Sequence, residues 1–212
     1  YYHFLIEALP RLEHLWTTVS MDNTIRIFQT SPFAASTFAL LGLGPNKACS
    51  SRRTVFPRVL LPPPPTDPRH EPTNARLKSM VGRLVAAAGL TETGPTKTPK
   101  WLVINRVDAR SRRILNHHEL MTGLRDLGWG GWYVKRRQDE GANVAGGVEA
   151  SLRSFRSCWG VIAPHGAGLS NIVFLAQRNA SIVEIVGEGQ TGKVYKALAE
   201  QFGHRHMYIT SP

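Results

Sequence analysis

A chain of 212 residues with 42% hydrophobic side chains has room for one large domain or two small ones, and enough apolar material for a true core. The formal net charge of +11 attracts phosphates and other polyanions in a salt-dependent way. The basic residues are nevertheless scattered, dense only at Arg52-Arg53, Arg110 to Arg113 and Lys135-Arg136-Arg137, with no basic tail and no aromatic interleaving, which argues against a dedicated nucleic-acid binder.

The chain starts at Tyr1, without an initiator Met, inside an amphipathic helix over residues 3–19; this reads as an N-terminally truncated fragment, with any targeting segment upstream. At 100° per residue, that helix brings His3, Glu7 and His14 within about 40° of one another, with Arg11 beside them. Phe4, Leu5, Ala8, Leu9, Leu12, Leu15 and Trp16 form the opposite, apolar face, and Pro10 kinks the helix or starts its second half. The polar face is either a solvated surface with a Glu7/Arg11 pair or a general base beside a substrate hydroxyl. A strand at 24–28, a helix at 33–41 and a strand at 55–61 complete a partial N-terminal α/β domain, residues 1–66.

Pro62-Pro63-Pro64-Pro65 and the Pro/Asp/His-rich stretch to Pro72 continue neither a helix nor a central strand and form a stiff spacer, the expected domain boundary. A helix over 74–90 opens the second domain, residues 73–212, and a polar Thr/Pro loop follows at 91–99. From Trp101 onward, strands at 101–105, 132–136, 159–163, 182–186 and 207–210 alternate with helices at 117–127, 145–157, 168–176 and 191–203. Such alternation predicts an α/β fold with a parallel, Rossmann-like sheet covered by helices on both faces, its ligand at the carboxyl ends of the strands.

Two loops at those ends carry the chemistry. After the strand at 101–105 come Arg106, Asp108, Arg110, Arg112 and Arg113; guanidiniums never lose their charge and recognise phosphate oxygens in bidentate fashion. After Trp159 to Pro164 comes His165-Gly166-Ala167-Gly168-Leu169-Ser170-Asn171, where two glycines let backbone N–H groups approach a ligand and the start of the next helix favours an anion. Both loops ask for a diphosphate. Asn171 stands where a dinucleotide fingerprint needs its third glycine, which weakens a nicotinamide reading. Glu184, inside Ile182-Val183-Glu184-Ile185-Val186, must be paired or face a ligand, where it could accept ribose hydroxyls.

Other chemistries find little support. There is no Asp-x-Asp pair, Cys49 and Cys158 are too few for a thiolate metal site or a disulfide framework, and His117-His118 and His204-Arg205-His206 read as surface or packing histidines. Ser151, Ser154, Ser157 and Ser170 lack the pattern of a hydrolase nucleophile. No apolar run reaches the ~18 residues of a membrane-spanning helix.

Three segments in order resemble one family, glycosyltransferase family 61: Tyr1 to Leu12; Arg106 to Asn116 with Glu119-Leu120; and Pro164 to Asn171 with Phe174-Leu175 and Val183-Glu184-Ile185. Ala176-Gln177-Arg178-Asn179 departs from the Pro/Gly-rich turn usual there, and most of the N-terminal acceptor domain of the family is missing. The resemblance implies a GT-B fold, two Rossmann-like domains facing a cleft, and an inverting, metal-independent transferase with no cofactor. Its donor would be a UDP-sugar of the N-acetylglucosamine, xylose or arabinose type, and its acceptor a glycan or glycoprotein hydroxyl. Glu7 or His3 would be the catalytic base, and Arg106, Arg110, Arg112, Arg113, His165, Gly166, Ala167, Gly168, Asn171 and Glu184 the donor and diphosphate site. A non-catalytic nucleotide-binding module of the same fold is the alternative.

Overall fold

The computed structural model describes residues 2–28, 31–44, 48–49, 71–91, 100–105, 111–129, 132–135 and 147–211. The expected strand at 55–61, the proline spacer as far as His70, most of the 91–99 loop, Arg106 and Arg110 lie outside them. Glu71 and Pro72, expected at the end of the spacer, already belong to the helix Glu71–Ala87, Pro72 standing in its first turn where its missing N–H costs no helical bond. Two compact units emerge: Tyr1–Leu90 with Gly147–Glu149, and Thr91–Gly146 with Ala150–Pro212.

The first unit begins differently from the expected α-helix. His3–Ala8 is a π-helix, Leu9–Leu15 a 3-10 helix, and only Trp16–Met21 is α-helical (α1). Pro10 has no N–H for an i→i−4 bond to Ile6, so the ladder changes period there; on its N-terminal side the Leu9 N–H bonds Phe4 O five residues back. The change of period re-aims the side chains. Leu5, Ile6, Leu9 and Pro10 are buried and Ala8 is exposed, whereas a uniform helix would put Ala8 inside.

Ile27–Phe28 (β1) pairs in parallel with Ala48–Cys49 (β2). Between them runs α2, Pro32–Leu40, capped by the Ser31 hydroxyl, which accepts from Ala34 N at 3.1 Å, with Pro32 in its first turn. α2 stops where Gly42 takes φ +73°, letting Leu43 N reach back to Phe38 O. Phe4 packs edge-on against Phe33 and Phe38 of this helix.

Glu71–Ala87 (α3) packs against the 3-10 helix and groups with the first unit, not with the second as its place after the proline spacer suggests. Its buried stripe of Leu77, Met80, Val81, Leu84 and Val85 supplies apolar contact, and a polar clasp fixes the register. Arg83 Nε and Nη2 donate to Glu13 Oε2 and Oε1 at 2.9 Å each, and Ser79 Oγ donates to Oε1 at 2.8 Å. The same guanidinium lies 4.8 Å from the centre of the Trp16 ring. Arg83 and, less strongly, Ser79 hold the Glu13 carboxyl below its ordinary pKa against the opposing effect of burial.

The second unit is the expected Rossmann-like sheet. Trp101–Ile104 (β3), Trp132–Lys135 (β4), Gly160–Pro164 (β5), Ser181–Gly187 (β6) and Arg205–Ser211 (β7) are all parallel, in the order β4-β3-β5-β6-β7. His117–Asp126 (α4), Gly147–Arg156 (α5), a 3-10 helix at Ala167–Phe174 and Lys193–Gln201 (α6) make the crossovers. Every β5 residue is buried, as a central strand covered on both faces requires. β6 alternates, with Ile182, Glu184 and Val186 buried. One face of the sheet carries a core of Val103, Ile162, Ile114 and Leu124, with Trp101 and Trp129 packed against it. Those two rings stack at 4.3 Å, and Gly160, the register partner of Trp101, makes room for them: a Cβ there would stand 2.5 Å from the Trp101 ring and 2.7 Å from Ser181 O. Among the described residues no helix is long and apolar enough to cross a membrane.

Candidate functional site

Strand order decides where a ligand can bind. The chain runs from β3 outward to β4, then returns to place β5 on the other side of β3, so the topology switches direction between β3 and β5. Loops leaving the carboxyl ends of those two strands border the crevice that open α/β sheets use for ligands. They are the arginine-rich loop and the glycine turn.

The arginine loop is closed at its base by Asn105, almost fully buried. Its Nδ2 donates to Ile114 O at 3.2 Å and its Oδ1 accepts from Ile114 N at 3.1 Å, pinning both ends of the segment. At the far end Arg112 has φ +56°, a left-handed conformation that a long side chain rarely adopts and that the surrounding structure must impose. Its Nη1 donates to His165 O at 3.2 Å. Arg112 and Arg113 are both exposed.

His165 opens the glycine turn and is held firmly. Its backbone N donates to Ile185 O at 2.7 Å, continuing the β5–β6 ladder, while its Nδ1 lies 2.5 Å from Glu184 Oε1. Tyr195 of α6 meets the imidazole edge-on at 5.4 Å. Glu184 is fully buried, and its second oxygen, Oε2, lies 2.8 Å from His206 Nε2. The sequence requirement that this carboxylate be paired is met by two histidines, with both oxygens occupied. His206 is a departure from expectation: on the exposed edge strand β7 its side chain turns inward and is only 1% exposed, so it belongs to the site's support. Nothing local marks it, because the contact depends on the β6–β7 register.

The turn residues divide by role. Gly166 is buried, Gly168 half-buried and Ala167 exposed. Asn171 is buried and its Nδ2 donates to Gly168 O at 2.9 Å, so its amide shapes the turn. The following segment, expected as an α-helix at 168–176, is the 3-10 helix Ala167–Phe174, buried from Leu169 to Phe174. Its poorer hydrogen-bond geometry gives a weaker axial dipole than the expected α-helix would have.

In the first unit, His3 Nδ1 lies 2.9 Å from Glu7 Oε2, so the expected base candidates form one pair, with His3 exposed and Glu7 half-buried. Tyr2 sets its ring edge-on to His3, and burial, followed by the charge of Glu7, holds its phenol above the ordinary pKa. His14 is exposed on the 3-10 helix. Among the described residues no group of three or more His, Cys, Asp or Glu stands together as metal ligands.

A doubly wound parallel sheet with arginine and glycine loops joined at its switch point defines the class of the second unit. The chain belongs to glycosyltransferase family 61: the family model, Glycosyltransferase 61, matches residues 1–183. Among characterised proteins it is similar to Beta-1,2-xylosyltransferase XYXT1 of Oryza sativa subsp. japonica, with 27% identity over 132 residues covering 58% of this chain and 26% of that protein. The match thus spans about a quarter of that relative's length.

Proposed function

We propose that this chain carries out sugar transfer from a UDP-sugar to a hydroxyl of a glycan or glycoprotein, with inversion and without a metal. The observation that carries the reading is the junction of Arg112 with the His165 turn at the sheet's switch point, in a chain of this family. The name of the rice relative makes a UDP-pentose, xylose before arabinose, the first donor to try, with UDP-N-acetylglucosamine next.

In this mechanism Glu7 or His3 takes the proton of the acceptor hydroxyl as its oxygen attacks the anomeric carbon. The bond to the diphosphate breaks on the opposite face, and negative charge grows on the leaving oxygens. Arg112 and Arg113, with Arg106 and Arg110 of the same loop and the backbone amides of Gly166, Ala167 and Gly168, meet that charge. Four arginines and no Asp-x-Asp are the reason for assigning the diphosphate to guanidinium rather than to a divalent ion. Glu184, with both oxygens on histidines, serves the donor site by orienting His165 rather than by accepting ribose hydroxyls.

The test is a thermal-shift and calorimetric titration of the complete protein with UDP, UDP-xylose and NAD, with and without EDTA. UDP should raise the melting temperature in EDTA and bind more weakly as salt screens the phosphate contacts. Preference for NAD, or UDP binding that EDTA abolishes and Mn²⁺ restores, contradicts the reading. UDP binding without transfer to any glycan acceptor indicates the non-catalytic module instead.

A further inference from the structure

The imidazole of His165 is oriented by more than its direct partner. As an anion Glu184 offers only acceptors, so the hydrogens in both of its histidine contacts come from the rings: His165 supplies one from Nδ1 and His206 one from Nε2. The other ring nitrogen of His206, Nδ1, is buried without a hydrogen-bond partner, so all the polar bonding of that side chain goes to Glu184. On His165, a side chain that is 24% exposed, the arrangement leaves Nε2 as the ring nitrogen that Glu184 does not engage.

Backbone supplies the remaining constraint. Gly192, buried just before α6, lies so close to the carboxylate that a Cβ there would stand 2.9 Å from Glu184 Oε2, 3.1 Å from His206 Cε1 and 3.2 Å from Tyr208 Cδ1. A side chain at this position would crowd the carboxylate and the His206 ring together, so one of them or the turn must shift.

We propose that His206 and Gly192 are positioning residues for His165: acting through the shared Glu184 carboxylate, they hold its ring hydrogen on Nδ1 and so present Nε2 as an acceptor for a hydroxyl of the nucleotide sugar. The second half of this statement rests on the UDP-sugar reading above; the first half does not. A histidine's ligand-facing nitrogen is set by the hydrogen bond its other nitrogen makes, and loss of such outer partners weakens function without removing any ligand contact.

The experiment combines nitrogen-15 NMR of the histidine rings with calorimetric titration of UDP on the full chain, for wild type, His206→Phe, His206→Gln and Gly192→Ala. Wild type should hold its His165 hydrogen on Nδ1. His206→Phe fills the space without a donor, and Gly192→Ala crowds the carboxylate. Each should mix the His165 tautomers and weaken UDP by on the order of tenfold. His206→Gln, which keeps a donor for Glu184, should restore both. A wild-type His165 signature and UDP affinity in His206→Phe overturn the proposal; if that variant does not fold, the same result in Gly192→Ala does. If the tautomer responds but UDP binds none of the four proteins, positioning stands and the UDP reading falls.

Discussion

The guanidinium of Arg112 donates to the backbone carbonyl of His165 across 3.2 Å, joining residues 53 positions apart in the chain. The bond orients the arginine along the glycine turn, and the left-handed backbone at Arg112 is the local strain that accompanies this placement. On the UDP-sugar reading proposed above, a phosphate bound there would meet the Arg112 guanidinium beside the turn.

Substitutions at the two kinds of site residue should therefore fail differently. Arg112→Ala should weaken UDP by about 1.5–3 kcal/mol, the usual worth of a charged hydrogen bond. In the complete protein, Glu7→Gln or His3→Ala should leave UDP affinity nearly unchanged and lower turnover by roughly two to four orders of magnitude, whichever of the pair is the base. Titration of UDP beside initial rates decides. Near wild-type turnover in both variants would reduce the His3–Glu7 pair to a surface contact.

Asn105 should matter as much as any arginine although it faces no ligand. Asn105→Ala strands the N–H and C=O of buried Ile114, which should cost about 2–3 kcal/mol in denaturant unfolding. It also unpins the loop that carries Arg112, so UDP affinity should fall under conditions where the variant is still folded. Unchanged stability would show that Ile114 finds other partners.

The Glu13–Arg83 clasp predicts a pH-dependent contribution within the first unit. Because Glu13 is held below its ordinary pKa, chiefly by Arg83, its stabilisation is present above the unfolded-state value of ~4.3 and is lost as pH falls through the lowered folded value. Arg83→Met should thus cost on the order of 1 kcal/mol at neutral pH, with a difference from wild type that narrows in acid below ~4. Urea titrations at several pH values measure it; a difference independent of pH would assign the whole effect to packing on Trp16.

Gly160→Ala tests the packing of the sheet. A methyl group directed at the Trp101 ring and Ser181 O forces one of them to move, so the variant should lose about 1–3 kcal/mol. Its tryptophan emission should shift as the Trp101–Trp129 stack opens. An unaltered melting curve and spectrum would contradict the tight fit.

Much of this was readable along the chain. The alternation from Trp101 onward predicts a parallel sheet, because strands covered on both faces must be continuously apolar and need helices between them. The position of His165 to Asn171 after a buried strand follows from the same pattern, and Glu184 announces a partner because an unpaired carboxylate in an apolar strand is too costly to bury. These features depend on local period and on burial, which residue order carries directly. Strand neighbours do not. That β5 returns beside β3, with β4 left on the far side, is settled by long-range packing of whole strands, and only this places Arg112 against His165. The same holds for His206, which joins Glu184 through the β6–β7 register, and for α3, which groups with the first unit because Glu13 and the 3-10 helix receive it. Pro10 was visible in the sequence, but whether the helix kinked or changed its period was decided by which apolar side chains, Ile6 and Leu9 among them, the unit could bury.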